Sequence, residues 1–206
     1  MDFKKILVNS LTSFLIVINR FIGLIFNPYK VMRNVSKERD LFQPVIILGI
    51  IFIYFKFIYY LRDKIYPATL IYLLFLTNFL LTVAFFYLLS KLFSKNKEEI
   101  KFLSFISTFV YSLFPTLIWF LSTSILYIFL PPPRTFSIIG KGFSIFFITF
   151  SLSLLIWKFI LVYLAVRFSS KQSFFKIILM IALYLIWFIP YSILLYQFKL
   201  FRIPFI

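Results

Sequence analysis

Lys158 stands inside an apolar stretch, nine residues before Arg167, and Ser144, Ser151 and Ala165 recur with it at seven-residue steps. Seven residues make almost two helical turns, so the four share one helix face. A cation in such a small, polar seam has two uses. It can hold an anion or a lipid phosphate, or it can be satisfied internally while the small residues let a second helix approach. The apolar stretches hold no acid to pair with it, which leaves hydroxyls, a lipid phosphate, or carbonyls released by Pro115 and Pro190. Ser104, Thr108, Ser112, Pro115, Thr116, Trp119 and Ser122 or Thr123 make a second seam, which Thr77, Asn78 and Thr82 are expected to join. Lys158, Ser151, Ser144, Tyr111, Ser112 and Pro115 are therefore the candidate site for a lipid or anion, or for polar contact between helices. Helix packing is the simpler reading, since a solute pathway normally carries further ionisable groups.

Other chemistry is poorly supplied. There is no histidine and no cysteine, which removes imidazole bases, thiol nucleophiles, disulfides and the usual zinc and haem ligands. The six acids, Asp2, Glu38, Asp40, Asp63, Glu98 and Glu99, all fall outside the apolar stretches. No carboxylate proton relay or carboxylate cation site is then available at membrane depth. Four glycines form no phosphate-cradling loop. A non-enzymatic protein is expected, with no catalytic residue, cofactor or metal.

The elements that must position these residues are five apolar stretches, at 44–61, 69–90, 102–130, 143–166 and 175–198. Each suits a hydrocarbon core of about 30 Å, which takes ~20 helical residues. Of the 206 residues 63% are apolar and 23% aromatic, more than a soluble domain can bury. The expected fold is all-α: a polytopic membrane protein whose residues 44–206 form a bundle of five transmembrane helices. Residues 1–43 are expected to form a cytoplasmic amphipathic helix and a polar connector. In that helix Phe3, Ile6, Leu7, Leu11, Phe14, Leu15, Ile18, Phe21, Ile22 and Ile25 fall at three- and four-residue steps, with Lys5, Asn9, Thr12 and Arg20 opposite. Such a helix lies in the membrane interface. As a span it would set Arg20 in hydrocarbon at a cost of ~2.5–3.5 kcal/mol. No small-residue cleavage site follows it, so it is expected to be retained. Asn27-Pro28-Tyr29 ends it, Pro44 suits the first turn of span one, and Pro131-Pro132-Pro133 stops span three. Lys56, near the outer end of span one, is expected to snorkel to the head groups.

A formal charge of +16 would suggest nucleic acid in a soluble chain. Here the basic residues cluster at span ends. Lys4, Lys5, Arg20, Lys30, Arg33, Lys37, Arg39, Lys91, Lys95, Lys97, Lys101, Arg167, Lys171 and Lys176 fall on the N-terminal side. Arg62, Lys64, Arg134, Lys141, Lys199 and Arg202 fall on the other. The bias places the N-terminus in the cytoplasm and the C-terminus outside, with anionic head groups as partners and no nucleic acid.

Asp40-Leu41-Phe42-Gln43-Pro44 before span one resembles the Asp-Leu-Tyr-Gly-Pro motif of the Yip1 family, with Phe42 for tyrosine and Gln43 for glycine. Tyr111-Ser112-Leu113-Phe114-Pro115 resembles that family's Tyr-Ser segment with its nearby proline. Asn27-Pro28, and Trp157 followed by Arg167 and a Ser/Lys loop, are similar to prokaryotic members, over about residues 20–196. The resemblance implies a polytopic protein of a prokaryotic plasma membrane that organises membrane or recruits membrane-protein partners, or copies of itself. In eukaryotic relatives the partners are small prenylated GTPases and traffic factors; nothing in this chain resembles a GTPase-binding module. The alternative is a transporter or channel, or its membrane subunit, with an anion or lipid site near Lys158.

Overall fold

The computed structural model describes residues 3–38, 40–61, 67–94, 98, 100–129, 138–198 and 200. Its elements are α1 (Phe3–Phe26), α2 (Pro28–Lys37), α3 (Phe42–Leu61), α4 (Ala68–Phe93), α5 (Phe102–Tyr111), α6 (Phe114–Phe129), α7 (Ile138–Ser170) and α8 (Phe174–Gln197). No strand occurs among the described residues. The all-α membrane class follows from length and apolarity. Val8–Phe26, Ala68–Phe93, Phe102–Leu126, Gly140–Ser170 and Phe174–Gln197 are each long and apolar enough to cross a membrane.

Four of these five overlap expected spans: Ala68–Phe93 and Gly140–Ser170 contain theirs, while Phe102–Leu126 and Phe174–Gln197 cover most of theirs. The fifth is α1, whereas α3, the expected first span, counts as a sixth only together with α2, from which it is bent by 118°. The polar connector expected between them is largely helical. Pro28 occupies the first turn of α2, where its missing N–H has no intrahelical partner, and Met32 and Val35 are buried against the bundle. Thus Asn27-Pro28 does end α1, but it also begins another helix.

Expected span three is two helices. α5 stops at Tyr111 and α6 starts at Phe114, so Pro115 lies in a first turn rather than inside a continuous helix. The Ser112 amide still reaches the Thr108 carbonyl at 3.1 Å, and the Leu113 amide the Val110 carbonyl at 3.1 Å, which tightens the end of α5. Pro190 does lie inside α8. The triple proline, Arg39, Arg62, Lys64, Arg134, Lys199 and Arg202 lie outside the described residues.

α5 is the most enclosed element, with Phe105, Ser107, Thr108, Phe109, Val110 and Tyr111 all buried. Around it the core is largely aromatic, with Phe75, Phe86, Phe105 and Tyr111 fully enclosed. Many rings meet edge-on or tilted, as at Phe86 and Phe109 (5.2 Å) and Phe114 and Trp157 (5.5 Å), and others stack, as Phe105 does on Phe109. Outward faces of α4, α6, α7 and α8 are apolar as well, for example Leu73, Phe129, Phe146 and Ile186. An apolar exterior is what a lipid solvent permits.

Candidate functional site

Ser13, Val17, Arg20 and Leu24 follow each other at three- or four-residue steps on α1. Ser13, Val17 and Leu24 are buried, and the Arg20 side chain is 15% exposed. This face meets α2 and α3. Arg20 therefore does not point away from the bundle with Asn9 and Thr12, as its place in the sequence pattern suggests. It pairs with Glu38, which directly follows α2. That pairing weakens the energetic argument against burying Arg20, because a charge that enters an apolar region with its partner costs less than a lone one.

Gln43 is the hub. Its side-chain oxygen accepts from Arg20 at 2.5 Å and from the Tyr111 hydroxyl at 2.7 Å. Its side-chain nitrogen donates to Asp40 at 2.9 Å and to Glu38 at 3.3 Å. This orientation is the only one that suits all four partners, since arginine and tyrosine donate here while carboxylates accept. Gln43 itself is buried. The guanidinium also sits 5.8 Å from the centroid of the Tyr111 ring. Phe21 meets that ring edge-on and stacks on Phe114 at 4.5 Å, which joins α1 to both halves of the broken span.

Asp40 completes the network. It accepts from the Phe42 amide at 2.9 Å, from Ser13 at 2.8 Å and from Gln43. Partial burial would raise its pKa, but the bonds from Gln43, the Phe42 amide and Ser13, with the Arg20 charge, hold the carboxyl below its ordinary range. Its negative charge also suits the start of α3. Leu41 and Phe42 are exposed, and Pro44 is buried in the first turn of α3.

Two sequence segments, 40–44 and 111–115, are thus joined directly by the Tyr111–Gln43 bond. Residues 22–196 match the model of the Yip1 domain. The chain belongs to the Yip1 domain family. Comparison with curated proteins and with solved structures returned no match.

The remaining site residues of this Yip1 protein lie elsewhere. Ser112 donates to the Phe109 carbonyl at 2.7 Å, within its own helix end, and Pro115 is buried beside it. Ser151 on α7 accepts from the Trp119 indole N–H on α6 at 3.1 Å. Ser144 donates to the Gly140 carbonyl at 2.9 Å in its own helix, and Ala165 is fully buried. Lys158 is partly buried on α7. Ser104 and Thr108 of the second seam bond across helices. Ser104 donates to the Ser36 carbonyl of α2 at 2.8 Å, and Thr108 shares a 2.8 Å bond with Ser169 of α7. Asn78 and Thr82 face α8 instead, through Tyr191 at 2.6 Å and Tyr184 at 2.9 Å. Thr77 is exposed and bonds its own helix. Lys56 is exposed, its ammonium 5.7 Å from the Phe52 ring.

Sequence reasoning missed Arg20, Glu38, Gln43 and Ser13 as site residues. A signal for two of them exists: Ser13 and Arg20 are seven apart, in step with the apolar Val17 and Leu24, which marks an inward face. Glu38 carries no such signal, since its role depends on the turn between α2 and α3.

Proposed function

We propose that this protein is a non-enzymatic membrane organiser or adaptor of a prokaryotic plasma membrane, acting through lipids or membrane partners at its N-terminal end. In this reading that end faces the cytoplasm, which the basic bias supports, and α1 lies along the inner leaflet. The observation that carries the reading is the network centred on Gln43. It fastens α1 and α2 to the bundle, so an apolar face of α1 (Leu11, Leu15, Ile18, Ile22) and a basic face of α2 (Lys30, Arg33, Lys37) are both presented outward. Apolar area beside Lys and Arg is the composition that a leaflet surface attracts.

Reconstitution into vesicles tests this. The wild type is expected to change vesicle shape in electron micrographs. A Phe14→Glu/Ile18→Glu double variant should insert normally yet leave vesicles round. Unchanged remodelling by the double variant would exclude α1 as the working element.

A transporter reading draws on one observation, the break of span three at Ser112 and Leu113. Against it, the region between α3 and α6 is filled by rings, with Tyr54 stacked on Phe120 at 5.0 Å and Phe55 edge-on to it at 5.6 Å. Anion flux in the same vesicles, abolished by Lys158→Met, would favour transport.

A further inference from the structure

At the corner where α1 turns into α2, Asn19, Arg20 and Gly23 face Lys30, Val31 and Asn34 across an open cleft of about 240 Å³. Gly23 permits this corner, since an added Cβ would lie 2.9 Å from Val31 Cγ2. The polar groups offered are one ammonium, one guanidinium and two primary amides. Asn19, Lys30 and Asn34 are exposed, so none is committed to the core. The Arg20 charge is shared with Glu38, which leaves Lys30 as the main source of net positive charge in the cleft. Ammonium and amide N–H donors around a small opening suit a phosphate group.

The surroundings narrow the source of that phosphate. Ile22 and Phe26 lie three residues beyond Asn19 and Gly23 on α1, next to the cleft on the helix surface. They are 52% and 76% exposed, so polar donors and open apolar surface adjoin. A free anion would use only the first; an amphiphile would use both.

We propose that this cleft is a site for the phosphate of an anionic phospholipid. Lys30 meets its charge, Asn19 and Asn34 donate to its oxygens, and the acyl chains run along Ile22 and Phe26. The site rests on α1 lying at the membrane surface, as in the reading above, but not on any organising activity.

The test uses the full chain, purified in detergent, stripped of lipid, and supplied with phosphatidylglycerol or phosphatidylcholine. Native mass spectrometry counts the lipid retained. Phosphatidylglycerol should be retained in preference to phosphatidylcholine. Lys30→Glu should lower that retention about tenfold, because an attractive charge becomes a repulsive one. Lys141→Glu makes the same charge change at an exposed position in the first turn of α7, the opposite end of that helix from Phe168, which meets Tyr29 of α2, and should leave retention intact. Asn34→Phe fills the cleft without altering charge and should also release the lipid. Thermal unfolding verifies that each variant is folded. Equal losses from Lys30→Glu and Lys141→Glu, or equal retention of the two lipids, would overturn the site. Displacement of phosphatidylglycerol by millimolar inorganic phosphate would assign the cleft to a soluble phosphate compound and overturn the lipid assignment. The assay reads neither vesicle shape nor protein partners. A retained lipid with no remodelling would sink the organiser reading alone, and remodelling without a retained lipid would sink the cleft alone.

Discussion

The two ends of this protein's polar inventory are arranged differently. At the junction of α1, α2, α3 and α5, six side chains from distant parts of the sequence share one connected network: Ser13, Arg20, Glu38, Asp40, Gln43 and Tyr111. Along α6 and α7 most hydroxyls turn back on their own helix, as Ser122, Ser144, Thr149 and Ser153 do toward carbonyls four residues earlier. The Trp119–Ser151 bond crosses between these helices. The contrast follows from what each region must hold. Long apolar helices are kept straight by their own backbone bonds and packed by rings and small residues. The α1–α2–α3 corner has one short helix and a sharp bend, so side-chain hydrogen bonds must fix its geometry.

The comparison breaks most readily at its hub. Gln43→Leu keeps the side-chain volume but takes away the acceptor of the buried Tyr111 hydroxyl, removes a partner of Arg20 and leaves two carboxylates facing each other. A loss of about 3 kcal/mol is expected, since each buried unsatisfied group costs ~1–3 kcal/mol and the Glu38 side chain, 41% exposed, retains water. Reversible unfolding in bicelles measures it. A loss under about 1 kcal/mol would mean that the network is ornamental to the corner's stability. Gly23→Val comes next. Its Cβ would press on Val31, whose own branched side chain has little rotamer freedom, at an expected ~1–3 kcal/mol. Proteolysis between α1 and α2 should accelerate in step, which distinguishes an opened corner from general destabilisation.

A smaller effect sharpens the electrostatic side. Because Asp40 is held below its ordinary carboxyl range when folded, its contribution is fully present above the unfolded value of ~3.9. Stability should therefore be level through neutral and mildly acidic pH and fall as pH drops below that value toward the folded one. Asp40→Asn should flatten this acid limb while leaving the neutral region slightly less stable. An acid limb that is identical in the variant would assign the titration to another carboxylate.

How much of this was legible beforehand depends on range. Helices α4, α7 and α8 were readable because hydrophobicity over twenty residues is a local property. The break in span three was half legible: Pro115 marks the place, but a proline alone does not distinguish a kink from a first turn. The Gln43–Tyr111 contact was not derivable from spacing, since 68 residues separate the two. The family motifs pointed at both segments without saying that they touch. α2 was hidden by its composition. Lys30, Arg33, Asn34 and Lys37 read as a polar connector until Met32 and Val35 are seen to share a buried face. Arg20 was assigned to the wrong face because one basic residue among apolar neighbours suggests solvent, and its acidic partner lies beyond an intervening helix.

The smallest effect tests the other half of the comparison. Ser151→Ala removes the acceptor of the Trp119 indole N–H at 3.1 Å and little else, because serine and alanine pack alike. Cross-helix bonds of this kind contribute ~0.6 kcal/mol on average in membrane proteins, since the separated helices find other partners. The same bicelle unfolding should therefore show a loss near that figure, several-fold less than for Gln43→Leu. Combining Ser151→Ala with Trp119→Phe should add no more than the loss of the tryptophan itself, which isolates the bond as the coupling. If Ser151→Ala proved as costly as Gln43→Leu, the α6–α7 seam would be a second polar anchor. The stability of this fold would then not be divided between a hydrogen-bonded end and a packed middle.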